Sequence, residues 1–287
     1  HYVDRDYPQN VYWGDTHLHS YLSGDAYSFG ATITPDQAYR FAKGEITRAD
    51  GGEDVRIRRP LDFLMVADHA NNLGVLPALV AGDPRVLAGK EVAELAERLV
   101  RRPTVRELLN SATEDEYDAG SRLIGAAKAV AFNDYGLDES FIRDMWQEII
   151  AVAERHNDPG RFTTFAGYEY TTTPLHRNVL FSGGPSDTLQ TLPFSNQDSE
   201  NPEDLWANLT RYKEMTGSDV IAIPHNSNLS RGGMFRTVTY EGKPISRDYA
   251  RVRSELEPLM EVTQIKGDSE THPLISPNDE FADHETY

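Results

Sequence analysis

Five of the nine histidines in this 287-residue chain fall at or near the ends of short apolar runs. The stretch VYWGDTHLHS ends in His17 and His19, with Asp15 two residues earlier. Side chains at i, i+2 and i+4 of a strand share one face, so these three are expected to look the same way. LDFLMVADH ends in Asp68 and His69, FAGYEYT carries Glu169 in an apolar setting, HRNVLF opens with His176, and DVIAIPH closes on His225. A carboxylate or imidazole at such places is costly to bury unless a charge or hydrogen bond meets it. Divalent cations would meet all of them at once and would fix the histidine tautomers.

Composition narrows the chemistry. Cysteine is absent, which removes disulfides, thiolate metal sites and cysteine nucleophiles together. Any metal site must then use His, Asp and Glu, the ligands of hydrolytic Zn, Mn, Fe or Mg centres. No G-x-S-x-G nucleophile elbow and no G-x-x-x-x-G-K or G-x-G-x-x-G nucleotide loop occurs. The formal net charge of −18 argues against nucleic acid as the main partner, yet bound cations would still admit a small anionic substrate. No stretch reaches the roughly 18 apolar residues of a membrane helix. The first residues hold no apolar signal core, so the chain is expected to be soluble, in the cytoplasm or, as a trimmed precursor, exported.

The elements that must carry these residues alternate between strand and helix. TITPDQAYRFAKG predicts a helix with Thr34 as N-cap, Pro35 at its first position and Gly44 past its end. RADGGEDVRIRR predicts a polar loop or hairpin, and residues 60–69 a strand covered on both faces. Residues 85–156 read as a mostly helical insertion. Strands follow in RFTTFAGYEYT, HRNVLFSG, DVIAIPHN and SELEPLMEVTQIKG, with a helix in NPEDLWANLTRYKEMTG. Strands separated by helices predict an α/β fold with a mostly parallel sheet, and polar residues gathered at strand ends favour a barrel. The whole of 1–287 is expected to form one domain.

The order of these pieces resembles the PHP (polymerase and histidinol phosphatase) superfamily of metal-dependent hydrolases, and within it an uncharacterised, often exported branch. The matching residues are GDTHLHS, DAYSFG, TPDQAYRFAKG, LDFLMVADHANNLG, FAGYEYT, HRNVLF, AIPHNSN and EVTQIKGDSETHP. The resemblance implies a distorted, TIM-like barrel of about seven strands with two or three divalent ions (Zn, Mn or Fe) at one face. His17 and His19 match the pair that holds the first metal. Glu169 matches the glutamate that bridges the first and second, and His176 and His225 match the histidines that complete the second. Asp25 stands where the superfamily often has His or another ligand, and with His69 it would hold the third. Asp15 and Asp68 look like groups that orient histidines.

The superfamily closes its site with an Asp-x-His pair on a final strand, and no such pair follows His225. A C-terminal portion, on a separate fragment or removed, is therefore expected to complete the barrel. Phosphoester hydrolysis by metal-activated water is what the resemblance implies; a sulfate ester or an amide is also compatible. Arg177, Lys266 and His272 are candidates to hold the anionic substrate beside Glu169, since a planar guanidinium suits phosphate or sulfate. The alternative is a metal-binding or interaction module that keeps the barrel without turnover.

Overall fold

A computed structural model of the chain describes residues 10–28, 30–49, 52–86, 139–172, 175–264, 267–269, 273–274, 277–278 and 280. Five strands form one sheet: β1 (Gly14–Leu18), β4 (Phe63–Val66), β5 (Thr163–Thr171), β6 (His176–Phe181) and β7 (Val220–His225), in the order β1-β4-β5-β6-β7. β1, β4 and β5 pair in parallel, whereas β6 is antiparallel to both β5 and β7. The predicted strands in this sheet are therefore present, but one of the five runs backwards. The reversal has a simple origin. The link between β5 and β6 covers only residues 172–175, and so short a connection allows an antiparallel neighbour but no crossover.

The sheet is curled. Neighbouring strands lie about 4.8 Å apart, so a flat sheet would separate its edges β1 and β7 by about 19 Å. Instead the imidazoles of His17 on β1 and His225 on β7 have centroids 4.1 Å apart. The five strands make a half-barrel, not the closed barrel of seven expected from the sequence. The remaining strands among the described residues are two-residue ribbons, β2 (Thr47–Arg48) with β3 (Asp54–Val55) and β8 (Thr263–Gln264) with β9 (Gly267–Asp268). The first is the predicted hairpin. The second is what becomes of the strand expected over 254–267, whose first residues instead finish a helix.

Helices cover the outer face. α1 (Gly24–Ser28) follows β1. α2 (Pro35–Ala42) begins as predicted: the Thr34 hydroxyl accepts from the Gln37 amide at 3.2 Å, and the Gln37 side chain accepts from the Thr34 amide at 2.9 Å. α3 (Val75–Ala81) precedes residues 87–138, where most of the expected helical insertion lies outside the described residues. Its end is α4 (Glu139–His156), which packs on β5 and α2. His156 stacks on Tyr39 and bonds Asp36 of α2 at 2.9 Å. α5 (Pro185–Thr188) is one turn. α6 (Pro202–Thr216) is capped by Asn201 and stopped by Gly217 in the left-handed region. α7 (Arg247–Leu256) is the last helix among the described residues. Among the described residues, no helix is long and apolar enough to cross a membrane.

Strand alternation sorts the two faces. Tyr168, Tyr170, Val179, Phe181, Val220 and Ala222 face outward into a core with Trp146 and Ile150 of α4 and Leu205 and Leu209 of α6. Leu64 and Val66 do the same against Ala38, Tyr39 and Ala42 of α2. Fully burying an apolar side chain of this size contributes about 1.5–3 kcal/mol, so the register is locked: a one-residue slip would turn this whole set into the barrel interior. Gly167 sets the spacing of the inner face, because a Cβ there would lie 2.1 Å from Met65 Sδ and 2.5 Å from the Val179 carbonyl oxygen.

Candidate metal centre

The outward lock on Tyr168 and Tyr170 forces Glu169 and Thr171 inward. Thr171 is opposite His176, and His176 is opposite His225, so all four side chains emerge at one rim. His176 reaches that rim although it begins its strand, because β6 runs against its neighbours. His69 arrives from just beyond β4 through a parallel bridge to Glu169. His17 and His19 arrive from the end of β1, where the register with β4 shifts between Asp15 and Leu18.

Five imidazoles form a closed ring. Successive centroids are 5.2 Å (His17–His19), 4.8 Å (His19–His69), 5.9 Å (His69–His176), 5.4 Å (His176–His225) and 4.1 Å (His225–His17). Glu169, 1% exposed, stands inside it. Its Oε1 meets His176 Nδ1 at 2.6 Å, His225 Nε2 at 3.0 Å and the Thr171 hydroxyl at 3.1 Å, with His69 Nδ1 at 3.8 Å. Its Oε2 meets His19 Nε2 at 2.9 Å and His17 Nε2 at 3.4 Å. Five of these groups, all but His69, thus lie within hydrogen-bond reach of about four lone-pair sites on one carboxylate. Hydrogen bonding to Glu169 alone cannot satisfy them all.

The electrostatics follow from burial and crowding. Burial pushes the Glu169 carboxyl up, but His69, His225 and His176 outweigh it and hold the carboxyl well below its ordinary range. Burial lowers the His225 imidazole to about 4 against the pull of Glu169, so it is neutral at pH 7. His17 goes the other way. Burial lowers it, but its bonds to Glu169 and Glu261 together push it up to about 10.

Imidazoles and carboxylates crowded in this way suit divalent cations of borderline hardness, which would take the place of the protons they share. Among the described residues, four groups bring three ligand atoms each within 4.8 Å of one another: His17–His19–Glu169, Glu169–His176–His225, His19–Asp25–His69 and His17–His225–Glu261. The first three contain every metal ligand expected from the sequence. Asp25, its side chain 42% exposed, meets His69 Nε2 at 3.1 Å.

Other expected roles fall elsewhere. Arg177 does not reach the rim. It alternates with His176, so its side chain enters the outer core, where it pairs with Glu257 and both side chains are 2% exposed. Glu257 also accepts from Trp206 Nε1 at 2.8 Å and from Arg253 at 3.2 Å. Lys266 and His272 lie outside the described residues. Asp15 bends back to accept from the His17 amide at 2.7 Å, an exposed turn contact made where the register breaks. Asp68 accepts from the Ser20 amide and hydroxyl at 2.6 and 2.7 Å, pinning the turn after His19 without bonding an imidazole.

The structure adds residues that sequence reasoning missed. Ser23 Oγ lies 2.8 Å from His19 Nδ1, Thr171 Oγ1 bonds His69 Nδ1, and Glu261 Oε2 lies 2.6 Å from His17 Nδ1. Thr171 was legible as the i+2 neighbour of Glu169 on a strand. Glu261, a lone acid between Met260 and Val262, carries the same kind of signal as Glu169 in GYEY. Ser23 carries none.

Fold and rim together define an α/β half-barrel protein with a buried histidine–carboxylate cluster able to hold metal ions. The chain belongs to the family described as "Protein of unknown function (DUF3604)", whose model matches residues 6–287. No curated protein and no solved structure matches it.

Proposed function

We propose that this chain is a metal-dependent hydrolase of the PHP kind, acting on a phosphoester or a related anionic ester. The observation that carries the reading is the ring of five imidazoles around one fully buried carboxylate, with more donors than that carboxylate can satisfy. His17, His19 and Glu169 would hold one cation, Glu169, His176 and His225 a second, and His19 or His69 with Asp25 a third. When bound, such cations lower the pKa of water towards neutrality and offset charge building on an ester oxygen.

The chain's own residues do the rest. Glu169 joins two ligand groups and so sets their spacing. Thr171 and Ser23 hold the Nδ1 sides of His69 and His19. The outer core keeps the rim rigid behind them. The absence of Cys and of a serine elbow leaves water as the nucleophile. Arg177 lies in the outer core, so the cations would supply positive charge for the anion at the rim.

The test uses the full chain, stripped with chelator and reloaded separately with Zn²⁺, Mn²⁺ or Fe²⁺. Turnover is measured on panels of phosphomonoesters, phosphodiesters and aryl sulfates. Metal-dependent turnover of one class is expected, lost on chelation and restored by the ion. Tight metal binding without turnover on any panel would favour a non-catalytic module, and no metal binding would end the proposal.

A further inference from the structure

We infer that Glu261 is a positioning residue that holds two imidazoles at once, His17 through Oε2 and His225 through Oε1, and so ties together the two open edges of the half-barrel. The inference rests on the proposed metal centre but concerns a residue with no place in it so far. His17 belongs to β1 and His225 to β7, the outermost strands of the sheet. No backbone ladder joins those edges among the described residues. Something else must hold the two rings 4.1 Å apart.

Glu261 is placed to do so. Its amide donates to the Pro224 carbonyl at 3.0 Å, and the next residue's carbonyl accepts from the Ser269 amide at 2.7 Å. The Gln264 side chain bonds Asn226 just past β7 at 3.2 Å. These contacts lay residues 261–264 along the rim end of β7 and point the Glu261 carboxylate inward. Oε2 accepts a hydrogen bond from His17 Nδ1 at 2.6 Å. One nitrogen of His17, one nitrogen of His225 and one oxygen of Glu261 lie within 4.8 Å of one another.

Two buried atoms in this group have no hydrogen-bond partner: His225 Nδ1 and Glu261 Oε1. Buried polar atoms left without a partner are costly. With a cation in place of the proton that His225 Nε2 shares with Glu169, the remaining ring proton sits on Nδ1, and donating it to Glu261 Oε1 through one water satisfies both atoms. It also fixes the tautomers. With Nδ1–H of both rings held by Glu261, the Nε2 lone pairs of His17 and His225 would be free for a cation on the Glu169 side, as a metal-ligating histidine held by a carboxylate requires. Glu261 acts through these two rings and touches no reacting atom.

The experiment titrates Co²⁺ alone into the chelator-stripped full chain and its variants, read by calorimetry and by the visible spectrum of the bound ion. Glu261→Gln should weaken Co²⁺ binding about 10–100-fold and alter the spectrum, in a stripped protein that still unfolds cooperatively. Glu261→Asp keeps the charge but shortens the reach, and should fall between wild type and Glu261→Gln. It also decides the matter if Glu261→Gln does not fold. Wild-type affinity and spectrum in both variants would overturn the inference. Glu169→Gln run alongside separates the two levels. If it loses Co²⁺ while the Glu261 variants do not, only the Glu261 role fails. If none of the three changes binding, the metal centre itself is wrong.

Discussion

Glu169→Gln keeps the shape of the central side chain and removes its charge. One oxygen becomes an amide that can only donate, so either the Oε1 groups or the Oε2 groups lose their acceptor. Disturbing groups behind metal ligands typically costs 10–100-fold in affinity. A carboxylate shared by two ligand groups belongs at or beyond the upper end, so about 100-fold or more, about 2.8 kcal/mol. The assay is thermal unfolding with and without metal. At a metal concentration 100 times its Kd, the wild type gains about 2.7 kcal/mol, while a variant binding 100-fold more weakly gains about 0.4 kcal/mol. For 287 residues, at about 2.1 cal/mol/K per residue, the unfolding entropy is about 0.6 kcal/mol/K, so the metal-induced rise in Tm should shrink by about 4 °C. Turnover should fall at least about 100-fold in parallel, in line with the loss of the metal. Equal metal-induced shifts, with equal metal content and turnover, would refute the bridging role of Glu169 and the two-metal reading with it.

Gly167→Ala should lower stability by at least about 1–3 kcal/mol, because the new methyl would meet Met65 Sδ and the Val179 carbonyl, and a backbone oxygen inside a ladder cannot retreat; denaturant melts measure it. Arg177→Met should cost about 3 kcal/mol, the lower end for breaking a buried pair, because Arg253 and Trp206 still bond Glu257; bound metal per chain should not change, and a loss of metal with unchanged stability would contradict its place in the outer core. Asp36→Asn tests a pH effect remote from the metals. The bond from His156 and the nearby Arg155 hold the Asp36 carboxyl below its ordinary 3.8. A depressed carboxyl contributes stability above its unfolded value and loses it as pH falls through the folded one. The variant should therefore be weaker by about 0.5 kcal/mol at pH 6, screened as this 39%-exposed side chain is, and indistinguishable from wild type near pH 2; an unchanged gap at low pH would contradict the pairing.

What the sequence determined by itself is local. Thr34, Pro35 and Gln37 dictate where α2 begins, because a cap needs only neighbours within one turn. The periods of the strands, and the polar residue at each rim end, depend on nearest-neighbour geometry alone. That is why His17, His19, His69, Glu169, His176 and His225 could be collected before any coordinates. The tertiary structure decided what depends on curvature and on residues far apart. The short β5–β6 link, not any pattern within HRNVLF, turned β6 around and so brought His176 to the rim. The alternation that placed His176 inward sent its neighbour Arg177 outward to Glu257, eighty positions along the chain, where a charge pair in sequence-distant segments leaves no local trace. Glu261 reaches His17 across 244 positions for the same reason. No spacing rule links them; the carboxylate and the imidazole meet only because the sheet curls until its two edges share one rim.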